Sequence, residues 1–440
     1  MTSLGREIRK PHGGALHSSP HATNHDTHSS HIESFNMRPA SARQTRTVRF
    51  IVPIGLAIFT TCSALLAAEN APTIKFKKTH IDPKFRAEGV AVGDFNHDGR
   101  LDIACSDAYY AAPNWEMVPM VAGEPRSFDP LRYSNCFQAF ADDLNDDSWT
   151  DVIVVDYPGA ETYWLENPTT AGGPWTKHVL TPITNNESPT YLDVDGDGVR
   201  ELICGYSPDL AAFDSPERRM GVISRAADPL KLWSIKGISD KSAPGTLRFA
   251  HGLGVGDING DQRADVCVPE GWWEQPADAT DGAWTFHAVS FGEPASQMHV
   301  YDCDGDGDAD VLSSSAHALG MWWHEQTPEG FKTHDLSQAF SQTHATCLAD
   351  MNGDGDMDFV TGKRYWAHGP DKDVDPGAPA VLYWFELSRD GGKAIWTPHP
   401  IDDDSGVGTQ FEVADLSGDG LLDIAIANKK GVFYFEQVRE

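Results

Sequence analysis

Between Asp302 and Asp310 the chain reads DCDGDGDAD, with aspartates at alternate positions. Two carboxylates about 4 Å apart repel by roughly 1 kcal/mol in water, and by several at a protein surface. A folded segment tolerates that crowding when a cation sits among the oxygens. Six more segments share the form D-x-[DNS]-x-D-G-x-x-[DE], starting at Asp94, Asp143, Asp193, Asp257, Asp350 and Asp415. The expected side-chain ligands occupy loop positions 1, 3, 5 and 9. They are Asp94, Asn96, Asp98 and Asp102; Asp143, Asn145, Asp147 and Asp151; Asp193, Asp195, Asp197 and Glu201; Asp257, Asn259, Asp261 and Asp265. The last three loops offer Asp302, Asp304, Asp306 and Asp310; Asp350, Asn352, Asp354 and Asp358; Asp415, Ser417, Asp419 and Asp423. Hard oxygen donors at this spacing favour Ca²⁺, because Mg²⁺ demands tighter octahedral geometry. Position 6 is glycine where the chain turns sharply. Ser148 and Gln262 replace it in the second and fourth loops, and Ser417 is a poorer donor in the last. Those three loops are expected to hold metal less tightly.

A second set of residues breaks the repetition. His251 and His344 stand six positions before their loops, His299 three before, and His317 and His368 follow the loops at a distance. A side chain present in every repeat serves the repeat, so these exceptions are the candidates for chemistry. Neutral histidine serves as general acid or base near pH 7. Three histidines also suit a Zn²⁺ with an open position, and Mg²⁺ is the other metal considered there. His251, His299 and His344 are the candidate catalytic residues. Further candidates for ligand binding are His317, His368, Glu270, Lys363, Glu88 and Glu187. By contrast His178, His287, His334 and His399 recur three residues after an aromatic and are expected to be architectural.

The elements that position these groups are strands. Before each loop comes a short apolar segment such as GVAVG or HGLGVG, and after it a β-rich one such as DIACS or DVIVV. The acidic loop is therefore a hairpin turn. An EF-hand would run into a helix and close with an acid at position 12; here the closing acid is at position 9. Each repeat adds a third strand with an aromatic–x–Glu pattern (YWLEN, GWWEQ, WWHEQ, YWFEL, FYFEQ) and a fourth such as WTKHVL or WTPHPI. The motif returns every 45–65 residues, the size of a four-stranded blade. The last repeat ends after its third strand, while IKFKKTHI at Ile74–Ile81 resembles a spare fourth one. An all-β, seven-bladed β-propeller of antiparallel blades follows, closed by pairing of the N- and C-terminal strands. Hairpin geometry then puts the exceptional histidines on the face opposite the acidic loops, roughly 17–20 Å from them. They are not ligands of the loop metals.

The loops and strands together resemble the FG-GAP or VCBS repeat family, over the whole chain after residue 69. That resemblance implies calcium in the matching loops. Ala250–Gly431, with AHGLGVGDINGD, PEGWWEQP, QMHVYDCDGDGDAD and TGKRYWAHGP, is also similar to the propeller domain of aldos-2-ulose dehydratases. This second resemblance implies a lyase removing water from a keto-sugar, with a base and an acid drawn from His251, His299 and His344. The alternative is a non-catalytic binding module for a polysaccharide or a protein.

A formal charge of −31 excludes the basic patches that nucleic acid or anionic membranes require. There is no GxSxG, P-loop or GxGxxG after a strand, so nucleophile-elbow, P-loop and dinucleotide chemistry are not expected. Residues 1–36 carry six histidines among Ser, Gly and Asn and read as a disordered or untranslated extension. Residues 37–68 order arginines, an apolar run and small residues as a signal peptide does, which predicts secreted or periplasmic location and no membrane insertion of the mature chain. The propeller is expected over 69–440. Its six cysteines form no CxxC; buried thiols are expected, with a Cys105–Cys136 disulfide left open.

Overall fold

A computed structural model of the protein describes residues 73–170, 173–210, 215–278 and 282–440. The extension and signal peptide expected before residue 69 lie outside the described residues. Among the described residues there are 28 strands, arranged as seven four-stranded antiparallel sheets, the blades of a β-propeller. The innermost strands are Ala91–Gly93, Gln138–Asp142, Thr190–Leu192, Gly254–Gly256, His299–Tyr301, Thr346–Ala349 and Phe411–Ala414. Those of the first and seventh blades touch each other. Ile74–Asp82 pairs antiparallel with Gly431–Arg439, in register from Ile74 opposite Arg439 to His80 opposite Phe433, with a shift before Asp82 meets Val432. The sheet therefore joins one strand from the start of the described chain to three from its end.

Second strands are buried along their whole length, as in Asp151–Val155 and Asp423–Asn428. Each blade packs against a neighbour on both faces, so these strands read as continuous apolar runs rather than alternating ones. Fourth strands lie outside and alternate, as Ile74–Asp82 does.

Three repeated devices fix the hairpin turns. In six of the seven loops the first aspartate accepts backbone N–H groups from positions 5 and 6, as Asp94 does from Asp98 and Gly99, while Asp302 accepts from Gly305 and Gly307. Position 6 has positive φ in all seven loops, including 72° at Ser148 and 68° at Gln262. Those two residues adopt the conformation that glycine adopts freely, at roughly 1–2 kcal/mol each. The ninth-position acid is buried and, in six of the seven loops, ties the loop to the end of the third strand. Asp358, for example, accepts from Met351 N at 2.9 Å and from Leu387 N at 2.9 Å.

The residue after the third-strand Glu staples neighbouring blades. Asn167, Gln275, Gln326 and Gln437 donate to the carbonyls of Phe95, Val194, Ile258 and Met351, each in an earlier blade's loop. Leu387 lacks an amide, and Arg389 takes over by donating to Cys303 O and Asp302 O. The expected architectural histidines also have their partners. His178, His287, His334 and His399 meet Glu166, Glu274, Glu325 and Glu386 at 2.6–2.8 Å. The described cysteines are free thiols, so the Cys105–Cys136 bridge is not formed.

Candidate functional site

The residue six positions before each loop precedes the innermost strand, at the end of that strand away from the loop. Around the ring these are Glu88, Phe137, Glu187, His251, Ser296, His344 and Thr409. Backbone bonds lock the ring, with Thr409 N–H donating to Glu88 O at 2.7 Å and Glu88 N–H to Cys136 O at 2.9 Å. Four of the seven are titratable, and three of those meet.

His251 Nε2 lies 3.3 Å from His344 Nε2 and 2.9 Å from His317 Nε2. The Glu187 Oε2 oxygen is 3.5 Å from His251 Nε2 and 3.3 Å from His344 Nε2. Three imidazoles from blades four to six thus offer nitrogens within 4.8 Å of one another, and Glu187 of blade three approaches two of them. Tetrahedral ligands with metal bonds of about 2.0–2.1 Å stand about 3.3–3.4 Å apart, close to the spacings found. The protonation states also suit a metal. Burial, and then Arg364, holds His344 well below its ordinary pKa. Burial, followed by His251 and His368, lowers His317 to about 4. Burial alone raises Glu187, but His251 and His344 outweigh it and hold the carboxylate ionised. Imidazoles beside a carboxylate are a ligand set, and Glu187 Oε2 is buried without a hydrogen bond.

Behind this cluster Arg364, 2% exposed, pairs with Glu88 and stands 3.7 Å from Glu187 Oε2. Glu88 also accepts from Ser134 N at 3.1 Å and Ser134 Oγ at 3.2 Å. It is therefore held inside an ion pair and is not free to meet a ligand. On the other side, His317 Nδ1 faces Asp373 Oδ1 at 3.5 Å, and the same oxygen meets His368 Nδ1 at 2.8 Å.

Several expectations are corrected. His299 does not join His251 and His344. It lies within the innermost strand, where Nε2 meets Thr346 Oγ1 at 2.9 Å, and burial lowers its pKa to about 4. His317 takes the third place in the cluster. Lys363 also turns away: its buried ammonium donates to Ser341 Oγ at 2.6 Å. Glu270 is exposed on the wall of a cleft of about 700 Å³ that reaches His251 and is bounded by Arg248, Phe249, Pro269 and Pro294. On the opposite flank Tyr133 and Tyr157 line a smaller cleft of about 410 Å³. Tyr157 and Phe249, with rings 5.0 Å apart, form the ridge between the two. Asp373, Tyr133 and Tyr157 were missed because nothing repeats at their positions. The common six-residue offset was the signal that groups Glu187 with His251 and His344.

At the acidic turns, the carboxylates of Asp193, Asp195 and Asp197, and those of Asp302, Asp304 and Asp306, lie within 4.8 Å of one another. The ninth-position acids stand apart from these clusters. Burial raises Asp310 to about 6 and Asp358 to about 7.

Fold and turns define a seven-bladed β-propeller with acidic hairpin tips and a histidine–carboxylate cluster at its axis. Residues 143–204 and 302–361 match the family model of FG-GAP-like repeats, and the chain carries such repeats. No curated protein matches the chain significantly. Among solved structures it is similar to an Agrocybe aegerita lectin that recognises non-reducing terminal N-acetylglucosamine, at 14% identity and TM-score 0.44, covering 83% of this chain and 93% of that one. An exotype rhamnogalacturonan lyase, YesX, matches at 13% identity and TM-score 0.41, over 83% of this chain and 74% of that one. BBS1N, solved with ARL6DN, matches at 12% identity and TM-score 0.43, over 82% and 94%. Among the described residues no helix is long and apolar enough to cross a membrane.

Proposed function

We propose that this protein is an exported, calcium-stabilised propeller whose axial cluster makes it a metal-assisted sugar lyase, a dehydratase acting on a keto-sugar. The convergence of His251, His317 and His344 Nε2 with Glu187 Oε2 carries the reading. An N₃O donor set of this spacing fits Zn²⁺ better than Mg²⁺, which prefers oxygen ligands. Zn²⁺ there supplies a Lewis acid that polarises a carbonyl oxygen. The cleft beside His251 presents Phe249 and the prolines to a sugar's apolar face, and Glu270 to its polar edge. Glu270 takes the proton from the carbon next to the carbonyl. The C–H electron pair forms the new C=C bond as the C–O bond to the neighbouring hydroxyl breaks. Glu270 returns its proton to the departing hydroxyl, so one water leaves and no oxidant is needed. Calcium in the acidic loops stiffens the opposite face.

The test is turnover of oxidised sugars by zinc-loaded protein, read as ultraviolet-absorbing enone. Glu270→Gln should abolish turnover while leaving the melting temperature nearly unchanged, and His251→Gln should abolish it together with tight zinc binding. Sugar binding without enone from any substrate, at any zinc loading, overturns the lyase reading in favour of a non-catalytic binding module.

A further inference from the structure

We infer that Asp373, a residue of the long loop between the second and third strands of blade six, is a positioning residue that fixes the tautomer of His317. The inference deepens the metal-centre reading above. Metal-binding imidazoles usually give their other ring nitrogen's proton to a carboxylate, which orients the ring and raises its basicity. In this protein Nε2 of His317 faces the cluster, so ligation of a metal there requires the ring proton on Nδ1. That nitrogen is buried without a hydrogen bond, and the carboxylate set against it is Asp373, 3.5 Å away.

The loop is built to hold Asp373 there. Its carboxylate, 9% exposed, accepts from His368 N–H at 3.1 Å and meets His368 Nδ1 at 2.8 Å. Asp373 itself has φ of 62° and Asp375 of 49°, left-handed conformations that are uncommon outside glycine. Backbone in that state persists where surrounding contacts over-determine it. They do so here: Val374 O accepts from Ser341 Oγ at 2.7 Å and Gln342 Nε2 at 3.1 Å, and Val374 N–H donates to His317 O at 3.3 Å. Lys363 completes the anchor through Ser341, which gives this buried lysine a purpose that direct ligand binding did not.

Two readouts separate this inference from the metal reading. Long-range ¹⁵N–¹H spectra of chelator-stripped protein should show His317 protonated at Nδ1. Asp373→Ala should shift it to the Nε2–H form, and Asp373→Asn, which keeps an acceptor, should not. In Co²⁺ titrations Asp373→Ala should weaken binding by about 10–100-fold and distort the visible spectrum, with Asp373→Asn close to wild type. An unchanged His317 tautomer in Asp373→Ala overturns the inference. A tautomer that responds in a protein with no Co²⁺ site keeps the positioning role and sinks the metal centre instead.

Discussion

The two ends of each blade hairpin obey different rules. At the acidic turns the loops repeat one solution: the position-1 aspartate closes its own loop, and in six of the seven the ninth-position acid ties it to the end of the third strand. At the axial mouth the equivalent ring position holds Glu, Phe, Glu, His, Ser, His and Thr, and polar groups bond across blades rather than within them. Repetition distributes stability over seven similar units; its breakdown concentrates several charges and imidazoles at one point. The first arrangement tolerates the loss of one member. The second should not.

Arg364 gives the largest expected effect. It is buried between Glu88 and Glu187, and Glu88 has an exposure near zero. Removing one partner of a buried ion pair typically costs about 3–5 kcal/mol, because the other charge stays behind in low dielectric. Arg364→Met should lower stability in urea by that amount, and adding Glu88→Gln should recover much of it. A loss below about 1 kcal/mol would mean that the mouth is solvated and that the contrast between the faces is wrong.

Metal removal separates the two ends next. A calcium loop saturated at 100-fold its Kd contributes about 2.7 kcal/mol. Dialysis into calcium-free buffer that still contains Zn²⁺ should therefore lower the melting temperature with the axial cluster loaded, and the loops bearing Ser148 and Gln262 should contribute least. At the mouth, His251→Gln should weaken Zn²⁺ binding by about 100-fold, or about 2.7 kcal/mol, while the calcium-dependent transition stays in place. Calorimetric titration with each metal reads both. A single transition abolished by either treatment would merge the two regions into one.

The repeated half of this comparison was legible in the sequence, the unique half only in part. A motif sampled seven times reveals its own rule, so strands, turns, blade order and the architectural histidines could be read from spacing. The mouth is sampled once. Spacing along one strand could not show that His299, three residues further in than His251 relative to its loop, points to Thr346 across blades. Nor could it show that the loop carrying Asp373 folds back to His317. Such contacts depend on chain crossing between blades, to which local periodicity is blind. Arg389 carries the same lesson at the repeated end: where Leu387 breaks the amide staple, a residue two positions on restores it.

The smallest effect sharpens the contrast most. His399 stacks on Trp384 with ring centroids 4.3 Å apart and meets Glu386 at 2.8 Å, a pairing repeated in three other blades. Both partners are about a third exposed, and pairs of that kind contribute about 0–1 kcal/mol. His399→Gln keeps a polar side chain able to hydrogen-bond Glu386. It should shift the urea midpoint by less than about 1 kcal/mol and leave Zn²⁺ affinity and enone formation unchanged. His251 is the opposite case, a histidine of the same chemistry whose neighbours are His317, His344 and the buried Glu187 rather than one exposed glutamate. If His399→Gln lowered zinc affinity as much as His251→Gln, position in the repeat would not be what separates architecture from chemistry in this fold.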